Sequence, residues 1–195
     1  MSTIPTPSVT ERPLRADARR NRERVMQIAR EAFAECGQDL TMEELARRAG
    51  VGVGTVYRHF PNKDALLDAL VTSQVTMILD RTRDALDEDD AWEAWCDLVR
   101  GAAYQQADDL AFCEFAMTRK HESESEAIRA ARDELTAETD KLLKRAQAQG
   151  KLRGDFTIDD VPVMFASIAA AVRMMEATPK AWQRHVEFTL DGLRA

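Results

Sequence analysis

Residues 50–67 have the sequence GVGVGTVYRHFPNKDALL, which places polar side chains directly after a glycine-rich turn. Val56 and Phe60 are four positions apart, a spacing that suits the buried side of one helical turn. The rest of that turn carries an aromatic hydroxyl, a guanidinium and an imidazole: Tyr57, Arg58 and His59. The stretch therefore predicts a short helix with a polar outward face, and raises the question of what that face binds.

A second short helix is predicted just before this turn. The residues Thr41-Met-Glu-Glu44 fit a capping box, in which the Thr41 hydroxyl accepts from the Glu44 amide and the Glu44 carboxylate reaches back. This predicts helices over 41–49 and 53–60, separated by Gly50 and ended by Pro61. Two short helices joined by a tight turn that contains glycine are typical of a helix-turn-helix unit.

Such a unit places its second helix in the major groove of DNA, with its N-terminal residues toward the base edges. The residues in those positions are small and allow a close approach: Val53, Gly54 and Thr55. Arg58, one turn later, can make a bidentate contact with guanine. Three further side chains have polar tips that suit phosphate oxygens: Tyr57, His59 and Lys63.

Composition indicates an all-α protein. The chain has 195 residues, of which 45% are hydrophobic and 31% charged, with only 6 prolines and 8 glycines. The N-terminus lacks the apolar core of a signal peptide. The longest uncharged apolar run, residues 161–172, would rise about 18 Å as a helix, against about 30 Å for a bilayer core. We therefore expect a cytoplasmic protein.

Charge is distributed unevenly along the chain. The net charge is −7, but residues 1–63 carry 11 Lys and Arg against 8 Asp and Glu, a net of +3. The remaining residues hold 16 basic and 26 acidic side chains, a net of −10. This asymmetry favours a basic module joined to an acidic one.

Caps and apolar stripes predict about nine helices, and the chain is expected to have three regions. Residues 1–15 form a flexible arm, 16–62 a three-helix DNA-binding domain, and 63–195 a helical bundle for ligand binding and dimerisation. One of the nine is a short segment over 110–117. The predicted caps and stops are Gly37, Asn62, the capping box Ser123-Glu-Ser-Glu126, Gly150, Thr157 and Thr178-Pro179.

The second half is rich in large, adaptable apolar side chains. Such side chains suit the wall of a small-molecule site, although each one taken singly is better explained as ordinary core. The residues predicted to line a pocket for a mainly apolar effector are Trp92, Trp95, Tyr104, Phe112, Phe115, Met117, Met164 and Met174.

The helix predicted over 157–175 is apolar on nearly all sides, whereas a helix that faces one core needs a single stripe. We expect its second stripe to pack against another copy of the chain, unless the helix is central within one chain. The sequence leaves open which of the two stripes faces the partner subunit. The residues expected at the interface are Ile168, Ala170, Val172, Trp182, Val186 and Leu190. A two-fold axis predicts a palindromic DNA site.

The residue pattern disfavours catalysis and metal binding. Cys36, Cys96 and Cys113 are far apart, and the three histidines are isolated from one another. No nucleophile–base or metal-ligand spacing occurs, so we expect neither an enzyme nor a cofactor. The alternative to a DNA-binding regulator is a helical ligand-binding or adaptor protein without specific DNA binding.

The segment TMEELARRAGVGVGTVYRHFPNKDALLDALV resembles the DNA-binding domain of the TetR family of bacterial transcription regulators, from about Arg20 to Val71. The resemblance implies a homodimeric repressor that a small molecule releases from its operator. It also implies that Thr41 binds a phosphate besides capping its helix, and that Arg19 and Arg20 lie near phosphates.

Two further features concern the same resemblance. Glu43 stands where some members carry a basic or neutral residue that contacts a base, so it either accepts from a cytosine amino group or avoids the DNA. The segments LLKRAQAQGKLRGDFTIDDV and LDGLRA resemble the regulatory domain of the SbtR-like branch, which implies a helical bundle with a ligand pocket and the dimer contact.

Overall fold

The computed structural model describes residues 11–110, 125–174 and 180–195, and these residues fold into α-helices without a β-strand. A short 3-10 helix, Gly37–Asp39, follows the first α-helix. The eight α-helices are α1 (Glu11–Cys36), α2 (Met42–Ala49), α3 (Val53–His59), α4 (Lys63–Asp87), α5 (Ala91–Asp108), α6 (Glu126–Ala148), α7 (Asp160–Arg173) and α8 (Ala181–Leu193). The predicted all-α class is confirmed, and the ninth predicted helix, over 110–117, falls almost entirely outside the described residues.

Several helix ends lie where the sequence predicts them. Gly37 and Gly50 follow α1 and α2 with φ of 55° and 64°, a left-handed conformation that glycine adopts without steric cost. At the start of α4, the Ala65 amide donates to Asn62 Oδ1 at 2.8 Å. Local capping chemistry therefore fixes the lengths of these helices.

Other helix starts differ from the predictions. The first helix begins at Glu11, so residues 11–15 are helical rather than part of the arm. Ser125 caps α6 and accepts from the Ile128 amide at 3.4 Å, and Ser123 of the predicted capping box lies outside the described residues. Thr157 precedes α7 by three residues, and its amide and hydroxyl both donate to Asp160 Oδ2. The predicted cap at 178–179 lies outside the described residues.

The chain divides into two compact units, one ending at Leu70 and the other beginning at Val71, so the division falls within α4. In the first unit α1, α2 and α3 pack against one another. The buried side chains of this unit include Val25, Phe33, Leu45, Val56, Phe60 and Leu66.

In the second unit α5 is the central helix. It packs against α6, α7 and α8, and α7 also packs against α8. Arg100 on α5 forms a two-point ion pair with Glu187 on α8, with N···O distances of 2.9 and 3.0 Å. The core between these helices contains Trp92, Trp95, Val99, Leu142, Met164, Ile168 and Leu190.

The burial of α7 and α8 corrects the predicted dimer interface. Five of its six residues are buried within the chain itself, because they pack into the core around α5: Ile168, Val172, Trp182, Val186 and Leu190. Only Ala170 of the six is exposed. The side of α7 that contains Ile168 and Val172 therefore faces inward, whereas Val163, Ala170 and Met174 are exposed.

Among the described residues, no helix is long and apolar enough to cross a lipid bilayer.

Candidate nucleic-acid interface

The turn between α2 and α3 is set by backbone hydrogen bonds around Gly50. The Gly50 amide donates to the Arg47 carbonyl at 3.3 Å, and the Val51 amide to the Ala46 carbonyl at 3.1 Å. The Gly52 carbonyl then accepts from the Thr55 amide at 2.8 Å and starts α3. A side chain at position 50 would be strained at its positive φ, so this turn depends on glycine.

The burial of Val56, which has no exposed surface, fixes the orientation of α3. Val53 and Tyr57, four residues apart on one side of the helix, are 42% and 43% exposed. Gly54 and Arg58 form the adjacent exposed strip, and Thr55 is half-buried. Val53, Gly54, Tyr57 and Arg58 are called the α3 face below. The structure thus brings four of the predicted DNA-binding residues onto one accessible surface.

Glycine at position 54 is not required by the fold. Its φ lies outside the left-handed region, and a Cβ there would meet nothing within 4 Å among the described residues. A glycine inside a helix costs about 0.5–1 kcal/mol relative to alanine. The absence of a side chain therefore has no structural benefit within the first unit, and it leaves the α3 face open.

Thr41 and Glu44 form only half of the predicted capping box. The Glu44 amide donates to Thr41 Oγ1 at 3.1 Å, as predicted. The Glu44 carboxylate binds Arg47 and Arg48 instead of reaching back, with N···O distances of 2.7–2.8 Å. Hydrogen bonds from these guanidinium groups lower the pKa of Glu44 to about 2. The Arg47 guanidinium is charged and binds both oxygens of the carboxylate, whereas the capping box offers one neutral backbone amide, which explains the difference.

The two arginines of α2 are therefore occupied, whereas Arg58 is not. Arg48 also binds Glu35 Oε2 at 2.5 Å, and hydrogen bonds to Glu44 and Glu35 raise its pKa. Arg58 is exposed and makes no hydrogen bond or ion pair with any residue that the structure describes. Its guanidinium group is available to an external acceptor.

Glu43 and Tyr57 are joined across the two helices. The Tyr57 hydroxyl donates to Glu43 Oε1 at 3.2 Å. The pKa of the Tyr57 phenol is raised, first by partial loss of solvent and then by the charge and hydrogen bond of Glu43. The sequence gives no signal for this bond, because the residues are 14 positions apart on different helices. It occupies the hydroxyl proton that was expected to bind a phosphate.

The other residues predicted to contact DNA phosphates lie at the end of α3, at the start of α4 and on α1. His59 lies beside the Phe60 ring, with 6.3 Å between centroids, and Lys63 Nζ lies 5.6 Å from the Phe33 ring centroid. Arg19 is largely exposed, with Nε 3.7 Å from Glu23 Oε1, and Arg20 is exposed. Arg22, which is not among the predicted DNA-binding residues, lies over the Phe60 ring at 5.4 Å.

The predicted pocket residues of the second unit are dispersed. Trp92, Trp95 and Met164 are buried in the core, with exposed fractions of 2%, 2% and 6%. Tyr104 and Met174 are exposed, and three more lie outside the described residues: Phe112, Phe115 and Met117. Of the predicted pocket residues that the structure describes, only Trp92 lines a hollow of about 260 Å³, whose other walls include the charged side chains of Glu93, Lys151 and Arg194. The aromatic pocket stays a prediction.

Two buried donors stand out in this core. The indole N–H groups of Trp92 and Trp95 have no hydrogen-bond partner within the described ranges. A buried unpaired donor costs about 1–3 kcal/mol. The described residues contain no cluster of three or more potential metal ligands.

Two family models match the chain and together span most of it. The model described as bacterial regulatory proteins, tetR family, matches residues 25–70. The model described as transcriptional regulator SbtR-like, C-terminal domain, matches residues 90–195. The chain belongs to the TetR family. The predicted family is confirmed, and its members and relatives are regulators rather than enzymes, as expected.

Solved structures agree with this assignment. A TetR transcription regulatory protein from Mycobacterium vanbaalenii is 35% identical with a TM-score of 0.70, and the match covers 94% of this chain and 100% of that one. FadR from Bacillus subtilis, in complex with stearoyl-CoA, shares the fold at 18% identity and a TM-score of 0.66, over 87% and 95% of the two chains.

A curated relative matches over a shorter range. An HTH-type transcriptional regulator of Staphylococcus aureus (strain USA300) is 32% identical over 76 residues, which is 38% of this chain. The matched region is 41% of that relative, so this TetR-family chain spans only about two fifths of the relative's length.

The Glu44 cluster predicts a pH-dependent stability of the first unit. Because its pKa falls from 4.5 to about 2 on folding, the Glu44 carboxylate stabilises the fold above pH 4.5, and this contribution disappears as the pH falls toward 2. Glu44→Gln should therefore increase hydrogen exchange of the α2 amides at pH 6, and the difference from wild type should vanish near pH 2. All three tryptophans lie in the second unit, so tryptophan-detected unfolding is an internal control. A difference that persists unchanged at pH 2 would contradict the ion-pair account.

Proposed function

We propose that this TetR-family protein is a homodimeric repressor that binds a palindromic operator and leaves it when a small, largely apolar effector binds. The observation that carries the proposal is the α3 face, which presents to solvent small residues and Arg58, an arginine without a partner among the described residues. Arginine is the side chain that most often reads guanine, through a bidentate contact with O6 and N7. The basic balance of residues 1–63 supports attraction to the phosphate backbone.

The rest of the first unit supports phosphate contacts around this face. Thr41 is exposed, and within the described part of the chain its hydroxyl oxygen only accepts from the Glu44 amide, so the hydroxyl proton is available. Lys63 and His59 pack against phenylalanine rings, which limits their freedom and reduces the entropic cost of binding a phosphate. Arg19 and Arg20 on α1 complete the proposed backbone contacts.

Dimerisation is proposed through the outward stripe of α7 and α8. Val163, Ala166, Ala170 and Met174 follow one another at helical spacing, and all are exposed. Phe188 on α8 is 69% exposed and Val163 71%. Large apolar side chains exposed together mark an interaction surface. A second copy of the chain is the proposed occupant, because two-fold pairing of reading helices is what a palindromic site requires.

The effector is proposed to bind in the second unit. Its supply of aromatic and methionine side chains supports an apolar ligand, and the unpaired indole N–H groups of Trp92 and Trp95 support one that carries a hydrogen-bond acceptor. FadR of Bacillus subtilis, which shares the fold, forms a complex with stearoyl-CoA. Release requires that the effector bind better to the state that does not bind DNA.

The second candidate is a helical ligand-binding or adaptor protein without specific DNA binding. The exposed apolar stripe of α7 favours it, because such a surface also suits an unrelated partner. The two functions differ in DNA selectivity. An adaptor would bind random DNA and any operator equally, with an affinity set by salt alone.

Substitution of Arg58 tests base reading. Arg58→Ala should cost about 1–3 kcal/mol of operator binding and relax the preference at one base pair in each half-site, because a bidentate contact is lost. Binding is measured by fluorescence anisotropy against the operator and its single-base variants. The control is Arg129→Ala, which removes the same charge from the exposed surface of α6. Equal losses on all sequences would show that Arg58 contacts phosphate instead.

Substitution of Gly54 separates folding from binding. Gly54→Ala should stabilise the first unit by about 0.5–1 kcal/mol, because it replaces a helical glycine in open space. The same methyl group should cost about 1–3 kcal/mol of operator binding, as overpacked contacts do. Gly101→Ala on α5 is the matched control, expected to leave DNA binding unchanged. A Gly54→Ala variant with wild-type operator affinity would show that close approach is not needed there.

Substitution of Val163 tests the dimer. Val163→Asp should leave helicity nearly unchanged, since the residue is 71% exposed within the chain, but should shift the protein to monomer in sedimentation velocity. Ala137→Asp, at an exposed site on α6, is the matched control. If Val163→Asp still sediments as a dimer, the interface lies elsewhere.

A further inference from the structure

Glu43 is the one acidic side chain that the described structure joins directly to the α3 face. Its neighbour Glu44 is neutralised by two arginines, but Glu43 binds only the Tyr57 hydroxyl within the described ranges. Tyr57 lies on the same strip of α3 as Val53, the first residue of the helix. A carboxylate is thereby held beside the surface that the proposed function places in the major groove.

The geometry leaves one oxygen of this carboxylate available. Oε1 accepts from the Tyr57 hydroxyl at 3.2 Å, and Oε2 has no partner in the described part of the chain. The hydrogen bond restricts the rotation of the Glu43 side chain. A phenol has one proton to donate, so Tyr57 does not donate to a phosphate while it holds Glu43.

The hydrogen-bond donors in the major groove of DNA determine which group Glu43 Oε2 can accept from. Phosphate oxygens and the guanine edge offer no donor, and the adenine amino group lies beside the N7 acceptor, which repels a carboxylate. The cytosine N4 amino group is a donor without an acceptor on the same base edge. Glutamate paired with cytosine N4 is accordingly the match for a fixed carboxylate oxygen.

We infer that Glu43 is a specificity-determining residue that accepts from a cytosine amino group in the operator, and that Tyr57 is a positioning residue which orients the Glu43 carboxylate instead of binding phosphate. The inference rests on the proposed function, since it assigns a base preference within the same operator. It also decides between the two roles that the sequence leaves open for Glu43.

The test is a selection of operator sequences from a random DNA library with the full-length protein and four variants. The wild type should select cytosine at one position of each half-site, by about 5- to 150-fold over other bases. Glu43→Ala should lose the preference at that position alone. Glu43→Gln should move it toward adenine, because an amide pairs with N6 and N7 of that base.

Tyr57→Phe distinguishes positioning from a direct phosphate contact. It should weaken the cytosine preference at the same position, and it should have no further effect when combined with Glu43→Ala. Circular dichroism checks that each variant is folded. If Glu43→Ala does not fold, the test uses Glu43→Gln, which keeps the shape of the side chain.

Three results would overturn the inference. The first is an unchanged base preference in Glu43→Ala and Glu43→Gln. The second is a uniform gain in affinity for all sequences in both variants, which means that Glu43 only avoids phosphate. The third is a uniform, salt-dependent loss in Tyr57→Phe that persists beside Glu43→Ala. A wild-type protein that selects no sequence overturns the proposed function as well, whereas the three results leave that function standing.

Discussion

The functional surface depends on the burial of Val56 and Phe60 in the core of the first unit. The α3 helix has seven residues, too few to be stable alone in water, so its conformation must come from packing. Val56 and Phe60 are 0% and 2% exposed, and they fix which side of the helix faces outward. The left-handed turn at Gly50 brings the chain from α2 into this position. Every proposed base contact of α3 follows from that one packing arrangement.

Electrostatics then select which charged residues remain for a partner. Arg47 and Arg48 are adjacent to the proposed reading helix, yet they bind Glu44 and Glu35 and have raised pKa values. Arg58 has no such neighbour, and the Glu43 carboxylate is bound only by a neutral phenol among the described residues. Among the described residues, the α3 face together with Glu43 thus presents one available cation and one oriented anion, which is a pattern suited to base edges rather than to phosphates alone.

The parts that the sequence predicts are those governed by local rules. The short helices, the glycine stops and the Asn62 cap follow from interactions within four or five residues. The inward face of α7 does not, because valine, alanine and methionine occur on all its sides, and only packing against α5 and α8 buries Ile168 rather than Val163. The Glu43–Tyr57 bond and the arginine partners of Glu44 depend on competing side chains, which spacing alone does not rank.

Selection of bound fragments from genomic DNA by the full-length protein tests the central claim most directly. The account predicts recovery of a palindrome whose half-sites lie about 34–36 Å or a multiple of that distance apart along the duplex, since two copies of α3 must enter the major groove on one side. It also predicts that Arg58→Ala changes one base preference in each half-site. Recovery of no common sequence by a folded, dimeric protein would contradict the account.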